Sequence, residues 1–409
     1  MTLAEIQALD QVDPLAPKRD EFLLPEGVIY LDGNSLGALP KRVVARLAQV
    51  VQQEWGQSLI KSWNTHGWID LPQRVGARIA RLVGAEPDEV VVADSTSVNL
   101  FKVLLAALEL CPGRKVILSD IANFPTDLYI AQGITELLKR HELRLVSKEE
   151  IDKSLDEEVA VLLLTEVDYR TGYRYEMAHL TRLAQQKGAL VVWDLAHSAG
   201  AFPVHLNQAQ VDFAVGCGYK YLNGGPGAPA FLFVARRHQA ATRPFLTGWM
   251  GHADPFAFSP EYLPAQDLRR LTVGTPAILS LSALEAALEV FEGVDMALVR
   301  QKSLQLSDLF IRLMEPLAAR YGFQLATPLE HARRGSQVAY RHPEGYAVMQ
   351  ALIAQGVVGD FRAPDILRFG FAPLYLRFED VYQAVQRLAQ VMQSGLWREA
   401  RFQERAKVT

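Results

Sequence analysis

Short β-rich runs alternate with helical stretches through the middle of this 409-residue chain, and this alternation restricts the possible folds more than any other feature. When helices join successive strands, the crossovers make the strands run parallel, with helices covering both faces of the sheet. The sequence therefore predicts a doubly wound, largely parallel α/β sheet. The predicted strands lie at residues 90–93, 115–118, 159–164, 190–193, 211–216 and 230–234, and the clearest helices between them at 98–110 and 177–187.

The pattern changes on either side of this region. The first 40 residues are mostly polar and contain several prolines, which is typical of an arm rather than of a core. After a predicted helix at 279–291, amphipathic helices such as 301–321 alternate with weaker strands. We therefore predict an amino-terminal arm over 1–40, a large α/β domain over 41–290 and a smaller α+β domain over 291–409.

Charge and composition argue against several functional classes. The formal net charge of −4 gives no electrostatic reason to expect a nucleic-acid partner. No apolar run reaches the roughly 18 residues that a membrane-spanning helix needs, and the acidic amino-terminal segment does not resemble an export signal. The only two cysteines, Cys111 and Cys217, are typical of a reducing compartment. We expect a cytoplasmic protein that binds neither nucleic acid nor a membrane.

Chemically suggestive residues follow two of the predicted strands. Asp194 comes directly after the run 190–193. Tyr219 and Lys220 follow the run 211–216 in a glycine-rich segment. Because parallel strands gather their carboxyl ends at one edge of a sheet, we expect an amine and a carboxylate at a common site. This pair fits pyridoxal 5′-phosphate, whose aldehyde needs a lysine for a Schiff base and whose ring nitrogen needs a carboxylate. Taken singly, Asp194 also fits a helix cap and Lys220 a solvated loop residue.

Three further features of the sequence allow both a functional and a structural interpretation. Thr96 and Ser97 open the helix predicted at 98–110, where hydroxyls and backbone N–H groups either bind a phosphate or cap the helix. Phe124 either stacks on a planar cofactor or packs in the core. His197 either contacts the cofactor ring or is a structural histidine, and its spacing from Asp194 matches no common zinc pattern. We expect no metal site.

These segments resemble the kynureninase family, within the fold-type-I, aspartate-aminotransferase-like enzymes that use pyridoxal phosphate. The resemblance covers nearly the whole chain. It implies the mostly parallel, seven-stranded type of sheet in the large domain and a smaller α+β carboxyl-terminal domain. The segments that carry it are YLDGNSLGALP at 30–40, ADSTSVNLFKVLLAAL at 93–108, ANFPTDLY at 122–129, WDLAHSAG at 193–200, GYKYLNGGPGAPAF at 218–231, GWMGH at 248–252 and RFGFAPLYLRF at 368–378.

The resemblance also implies roles for individual residues. Within one subunit they are Lys220 as the Schiff-base lysine, Asp194 as the partner of the pyridine nitrogen, Thr96, Ser97 and Tyr219 on the phosphate side, Phe124 on the ring, and Asp127, Thr165 and His197 as other cofactor contacts. Trp249 and Thr275 match positions that reach the phosphate from a neighbouring subunit, which implies a homodimer with composite sites. Arg368 matches the arginine that holds the substrate's α-carboxylate.

The activity that the resemblance implies is the hydrolytic cleavage of the Cβ–Cγ bond of L-kynurenine or its 3-hydroxy form. The products are an anthranilate and L-alanine, in tryptophan catabolism and the supply of pyridine nucleotide precursors. Lys220 is the expected general base, and Tyr219 either relays a proton to Cβ or binds the phosphate. The alternatives are another enzyme of the same fold, such as an aminotransferase or a cysteine desulfurase-like lyase, and a non-catalytic protein. The aromatic stretch 63–68 fits either an aryl pocket or core packing.

Overall fold

The computed structural model describes residues 2–405, which divide into two compact units. The larger unit comprises residues 42–168 and 175–289, and the smaller unit comprises the described parts of 1–41, 169–174 and 290–409. The strands are β1 Phe22–Leu23, β2 Ile29–Tyr30, β3 Leu39–Pro40, β4 Val90–Val92, β5 Val116–Asp120, β6 Glu142–Val146, β7 Val159–Thr165, β8 Leu190–Asp194, β9 Phe213–Gly216, β10 Phe231–Val234, β11 Gln324–Leu325, β12 Gln337–Arg341, β13 Val357–Val358, β14 Asp360–Arg362 and β15 Ile366–Gly370. The α-helices are α1 Leu3–Gln11, α2 Lys41–Gln49, α3 Ser62–Thr65, α4 Leu71–Val83, α5 Thr96–Leu110, α6 Pro125–Leu138, α7 Ile151–Ser154, α8 Met177–Gln186, α9 Arg236–Gln239, α10 Ile278–Ala287, α11 Met296–Tyr321, α12 Gly345–Ala354 and α13 Phe378–Ser394.

A seven-stranded sheet forms the centre of the larger unit. Its strand order is β4-β10-β9-β8-β7-β5-β6. The strands from β9 to β6 run parallel, whereas β10 runs antiparallel to both of its neighbours. All seven residues of β7 are buried, as expected for a strand covered on both faces. The predicted α/β class with a mostly parallel sheet is confirmed.

Helix α5 contributes much of the core beneath this sheet. Its first turn is capped by Ser95, whose hydroxyl accepts a hydrogen bond from the backbone N–H of Val98 at 3.3 Å. Nearly every residue from Asn99 to Leu108 is buried, and Leu100 and Leu104 are completely inaccessible to solvent. Burial of each such leucine side chain stabilises the fold by about 1.5–3 kcal/mol, so the position of the helix is firmly set.

The smaller unit is built on a four-stranded antiparallel sheet with the order β11-β12-β15-β14. Helix α11 begins after Asp295, whose carboxylate accepts from the Ala297 N–H at 2.8 Å, and it continues for 26 residues. The short strand β2, from the first part of the chain, pairs in parallel with β13. This antiparallel sheet and its helices agree with the predicted α+β architecture. Among the described helices, none is both long and apolar enough to cross a membrane.

Candidate active site

The carboxyl ends of β8 and β9 place three of the predicted site residues together. Asp194 is the last residue of β8 and is paired in register with Val215 of β9. His197 follows in the turn after β8, and its Nε2 lies 3.0 Å from the Nζ of Lys220. The turn after β9 is tight, because a Cβ on Gly224 would lie 2.7 Å from the carbonyl oxygen of Gly218. The strand ends thus bring the amine to the segment that carries Asp194.

Two buried carboxyl groups face this amine. Asp127 is 2% exposed and Asp194 is 3% exposed. Burial raises the pKa of Asp127 well above its ordinary range, repulsion from Asp194 raises it further, and the charge of Lys220 opposes the shift. Burial also raises the pKa of Asp194, which is opposed by Lys220 and by the Ala196 N–H that donates to its Oδ1 at 2.8 Å. A hydrogen bond joins the two carboxyls, which therefore share one proton.

This group of residues fits pyridoxal phosphate. The Oδ2 atom of Asp127 is buried and has no hydrogen-bond partner among the described residues. Such an atom is costly unless a donor is supplied, and a cationic N–H donor would satisfy both it and the negative charge shared with Asp194. The protonated ring nitrogen of the cofactor is a donor of this kind. The amine of Lys220 supplies the other function that the cofactor requires.

Two aromatic rings lie near the amine. The Nζ of Lys220 is 5.9 Å from the ring centroid of Phe124 and 5.7 Å from that of Tyr219. Phe124 is 38% exposed, so part of its apolar surface is accessible to solvent at the site. Burial is the main cause that raises the pKa of the Tyr219 phenol, which therefore keeps its proton at neutral pH. A ring for stacking and an O–H donor thus both lie beside Lys220.

The remaining predicted contacts of the larger unit occupy three places. Thr165 ends β7 directly beside Asp194, and its hydroxyl donates to the carbonyl of Val167 at 3.1 Å. Thr96 and Ser97 form the first turn of α5, where backbone N–H groups have no partner within the helix. Trp249 and Thr275 line a cavity of about 610 Å³.

In the aromatic stretch 63–68, one tryptophan lines a cavity and the other packs in the core. Trp63 lines the same cavity as Trp249 and Thr275. Trp68 is 9% exposed, its Nε1 donates to the Oε2 of Glu54 at 2.7 Å, and its ring packs edge-on against that of Trp63 at 6.1 Å. Trp68 is therefore a core residue that supports Trp63, and Trp63 lines the cavity together with Asn64 of the same stretch.

Arg368 lies in the smaller unit, where it is 1% exposed and is therefore not the surface charge that a lone arginine usually is. Its Nε donates to the Oδ1 of Asp360 at 2.8 Å, and its Nη2 donates to the other oxygen of the same carboxylate. The hydroxyl of Ser35 accepts at 2.8 Å and the carbonyl of Tyr169 at 2.7 Å. No motif in the sequence marks Asp360 as a site residue, although it pairs with Arg368 in the register of two antiparallel strands.

Cys217 is not a reactive thiol. It is 4% exposed, and burial raises the pKa of the thiol, so the nucleophilic thiolate is disfavoured. Its Sγ lies 3.8 Å from the carbonyl oxygen of Ala196. The residue therefore lacks the properties of the mobile catalytic cysteine that a cysteine desulfurase requires.

Curated relatives align with essentially the whole chain. A protein named kynureninase from Deinococcus radiodurans is 59% identical and covers 96% of this chain and 97% of its own length. Kynureninases from Burkholderia mallei and Pseudomonas fluorescens are each 53% identical, with coverage of 100% and 98% of this chain and the same shares of their own lengths. The chain belongs to the kynureninase family. The predicted family is therefore confirmed.

Two family models match parts of this kynureninase-family chain. The kynureninase C-terminal domain matches residues 299–388, and aminotransferase class I and II matches residues 24–218. Among solved structures, a cysteine desulfurase from Thermococcus onnurineus has a TM-score of 0.77 at 19% identity, covering 92% of this chain and 98% of its own. A cysteine desulfurase from Escherichia coli has a TM-score of 0.77 at 20% identity, covering 94% and 99%. At these identities the likeness shows the shared fold alone.

Proposed function

We propose that the protein is a pyridoxal phosphate-dependent hydrolase that cleaves the Cβ–Cγ bond of L-kynurenine or 3-hydroxy-L-kynurenine. The products are anthranilate or 3-hydroxyanthranilate and L-alanine, within tryptophan catabolism. Full-length relatives named kynureninase support this substrate. The structural observation that carries the proposal is the cluster of Lys220, Asp194 and Asp127, which offers the amine and the carboxylates that the cofactor needs.

The cofactor would be held by residues at both ends of this cluster. Lys220 would hold its aldehyde, Asp194 with Asp127 its ring nitrogen, and Phe124 and His197 the faces of its ring. The phosphate would lie at the amino terminus of α5, against Thr96, Ser97 and Tyr219, with Thr165 beside the ring. When bound, the cofactor supplies an electron sink that stabilises negative charge on the substrate carbons next to the amino group.

Proton movement in the reaction falls to two residues. Lys220 acts as the general base at the substrate's Cα, and the 3.0 Å contact with the Nε2 of His197 orients its amine. Tyr219 delivers a proton to Cβ after the aryl product has left. The position of its ring supports this role, because the ring centroid lies 5.7 Å from the Nζ of Lys220.

Arg368 would bind the α-carboxylate of the amino-acid substrate. The Nε–H and one Nη2–H of the guanidinium already bind Asp360, which fixes its plane, and an Nη1–H is left to donate to the substrate carboxylate. Ser35 and the Tyr169 carbonyl engage further N–H groups of the same side chain, which restricts its rotation. The residue is thus oriented before a substrate arrives, which lowers the entropic cost of binding.

The protein would work as a homodimer in the cytoplasm. Exposed apolar side chains surround Trp249 in the larger unit, with Phe256 58%, Phe258 78% and Leu263 59% exposed. The rings of Trp249 and Phe256 pack edge-on at 5.7 Å, so this surface is a continuous aromatic patch, suited to burial against a second copy. Trp249 and Thr275 would then reach the phosphate of the neighbouring subunit. The two buried cysteines agree with a reducing compartment.

The deciding experiment is incubation with L-kynurenine and, separately, with 3-hydroxy-L-kynurenine. We expect anthranilate fluorescence or its 3-hydroxy equivalent to appear together with one equivalent of alanine. Transfer of the amino group to a 2-oxo acid without release of the aryl product would overturn the proposal in favour of an aminotransferase. Sedimentation analysis tests the dimer, and a monomer with full activity would contradict the composite site.

A further inference from the structure

Helix α5 buries a lysine that the proposed reaction does not use. Lys102 lies in the apolar middle of this helix and is only 3% exposed. Its Nζ donates to the carbonyl oxygen of Leu271 at 2.6 Å and forms an ion pair with the carboxylate of Asp94. A buried ammonium is costly unless it is paired, so contacts of this kind are the reason that a lysine is tolerated here.

Asp94 occupies a constrained position next to the proposed phosphate site. It directly precedes Ser95, the cap of α5, and its φ angle of +48° lies in the left-handed region. Its carbonyl accepts from the Ala230 N–H at 2.9 Å. The preceding residue, Ala93, accepts a hydrogen bond from the amide of Asn99 at 2.7 Å. Residues of α5 itself therefore fix the turn that leads into its own amino terminus.

The charge of Asp94 would oppose the function proposed for this turn. A carboxylate at the amino terminus of a helix interacts favourably with the helix dipole, but it repels a phosphate placed at the same end. The ammonium of Lys102 neutralises this carboxylate from inside the protein. The turn then presents the first N–H groups of α5 without a competing negative charge.

The second contact of Lys102 extends to the segment that carries Thr275, the residue proposed to reach the phosphate of the neighbouring subunit. Leu271, whose carbonyl accepts from Lys102, begins the segment 271–275, which ends at Thr275. Asp94 and residues 272–275 line one cavity of about 530 Å³. One buried ammonium therefore holds the turn before Thr96 against the segment that carries Thr275.

We propose that Lys102 is a positioning residue for the cofactor phosphate, which neutralises Asp94 and fixes both the amino terminus of α5 and the segment 271–275. This inference rests on the proposed function, because it takes pyridoxal phosphate as the ligand at that terminus. It assigns Lys102 no contact with the cofactor or the substrate.

The smaller unit provides a matched control. Lys302 is likewise buried, with its Nζ 2.6 Å from the carboxylate of Asp13 and donating to the carbonyl of Pro373 at 2.7 Å. Burial lowers the pKa of both lysines, and in each case the paired aspartate opposes the shift. Lys302→Met thus removes an ion pair with an aspartate and a hydrogen bond to a carbonyl, as Lys102→Met does, in a unit to which no phosphate ligand is assigned.

The test compares the affinity of the apo-protein for pyridoxal phosphate with its affinity for pyridoxal, which lacks the phosphate. Binding is followed by absorbance and by quenching of protein fluorescence. For Lys102→Met we expect the dissociation constant of pyridoxal phosphate to rise about tenfold or more, because an uncompensated carboxylate then faces the phosphate. The constant for pyridoxal should change less than about threefold. Lys302→Met should lower the midpoint of thermal unfolding similarly and leave the ratio of the two constants unchanged.

The double variant Lys102→Met, Asp94→Asn tests whether the loss of affinity comes from the uncompensated charge of Asp94. It should recover most of the lost affinity for pyridoxal phosphate, since neither charge remains. Equal loss of affinity for both ligands, or no recovery in the double variant, would overturn the proposal in favour of a purely structural lysine. Should Lys102→Met alone not fold, Asp94→Asn decides: affinity for pyridoxal phosphate that is kept or increased supports the proposal, and a selective tenfold loss contradicts it. Wild-type protein that binds neither ligand would instead refute the proposed function.

Discussion

Each unit buries a cluster of charged side chains, and the two clusters differ in how completely their charges are matched. In the larger unit, the carboxyls of Asp127 and Asp194 face the amine of Lys220, and the Oδ2 of Asp127 has no partner among residues 2–405. In the smaller unit, the guanidinium of Arg368 is bound by both oxygens of Asp360. One cluster keeps a buried carboxyl oxygen without a hydrogen-bond donor, and the other contains an oriented ion pair.

This difference separates two kinds of preorganisation. An incomplete cluster keeps a buried carboxyl oxygen whose hydrogen bond only a bound group can supply. Binding of that group is therefore more favourable, because it removes the desolvation cost of the unpaired oxygen. In a matched cluster the ion pair already offsets the desolvation cost of its charges. Its main contribution to binding is the fixed orientation of its side chains. We therefore expect variants of the first cluster to act chiefly on chemistry and cofactor binding, and variants of the second on substrate affinity and stability.

The largest expected effect is that of Lys220→Ala. Loss of both the covalent anchor and the general base should lower the rate of anthranilate release by at least about 10³-fold. The measurement is single-turnover fluorescence at saturating cofactor. Lys153→Ala, which alters an exposed lysine of the same unit, serves as the control and should retain full activity. Residual activity within tenfold of the wild type would remove Lys220 from the chemistry.

Asp194→Asn should have the next largest effect on activity. Without the negative charge the ring nitrogen is no longer held protonated, and we expect kcat to fall about 10²-fold with an altered absorption spectrum of the bound cofactor. Asp212→Asn is a suitable comparison, because Asp212 is 1% exposed and accepts from Arg237 at 2.6 Å. That variant should lose stability and keep the spectrum. The same spectral change in both variants would contradict the role of Asp194.

Asp360→Asn tests the matched cluster. The amide keeps one acceptor but leaves Arg368 without its anionic partner, so the free energy of unfolding should fall by about 2 kcal/mol. The KM for kynurenine should rise about tenfold while kcat changes little, because the guanidinium loses its orientation. Asp365→Asn breaks the more exposed pair with Arg341 and should change stability by less than about 0.5 kcal/mol. Unfolding in urea and steady-state kinetics measure these effects.

The smallest expected effect is a pH dependence in the smaller unit. Burial and the charge of Asp360 raise the pKa of Asp32 to about 7, against an ordinary value of 3.8. The folded state therefore binds this proton more tightly than the unfolded state, and stability should fall as pH rises from about 4 through about 7. Asp32→Asn should flatten this decline over the same pH range, because the variant lacks the titrating carboxyl. Identical slopes in urea titrations of the two proteins would refute this assignment.

The sequence predicted the elements of the large sheet that have strong apolar runs. Strands such as β7 and β8 are buried on both faces, so their composition alone identifies them. The rule that site residues follow parallel strands then located Asp194 and Lys220. Strand β6 was missed because it lies at the edge of the sheet, is only partly buried, and contains Glu142 and Arg144. An edge strand does not need the apolar pattern on which the prediction relied.

Parts of the candidate site depend on pairings that no local pattern specifies. The proton shared by Asp127 and Asp194 arises from two residues that separate elements bring together in a buried space. The partner of Arg368 follows from the register of β14 and β15, which is fixed by side-chain packing in three dimensions. For Lys102 a signal did exist, since a lysine amid the apolar residues of α5 needs a buried partner. Only the fold identifies that partner as Asp94.

The reversed direction of β10 has a consequence for how Lys220 moves. Because β10 runs antiparallel to β9, the loop that carries Lys220 leaves and rejoins the sheet at the paired residues Gly216 and Phe231. A further hydrogen bond from the Gly224 N–H to the Gly218 carbonyl, at 2.9 Å, ties the loop to itself. Main-chain excursions of the lysine are thereby restrained, and its amine changes place by rotation about side-chain bonds. Such torsional steps take nanoseconds or less. We therefore expect bond cleavage or product release, and not movement of the lysine, to limit the rate of turnover.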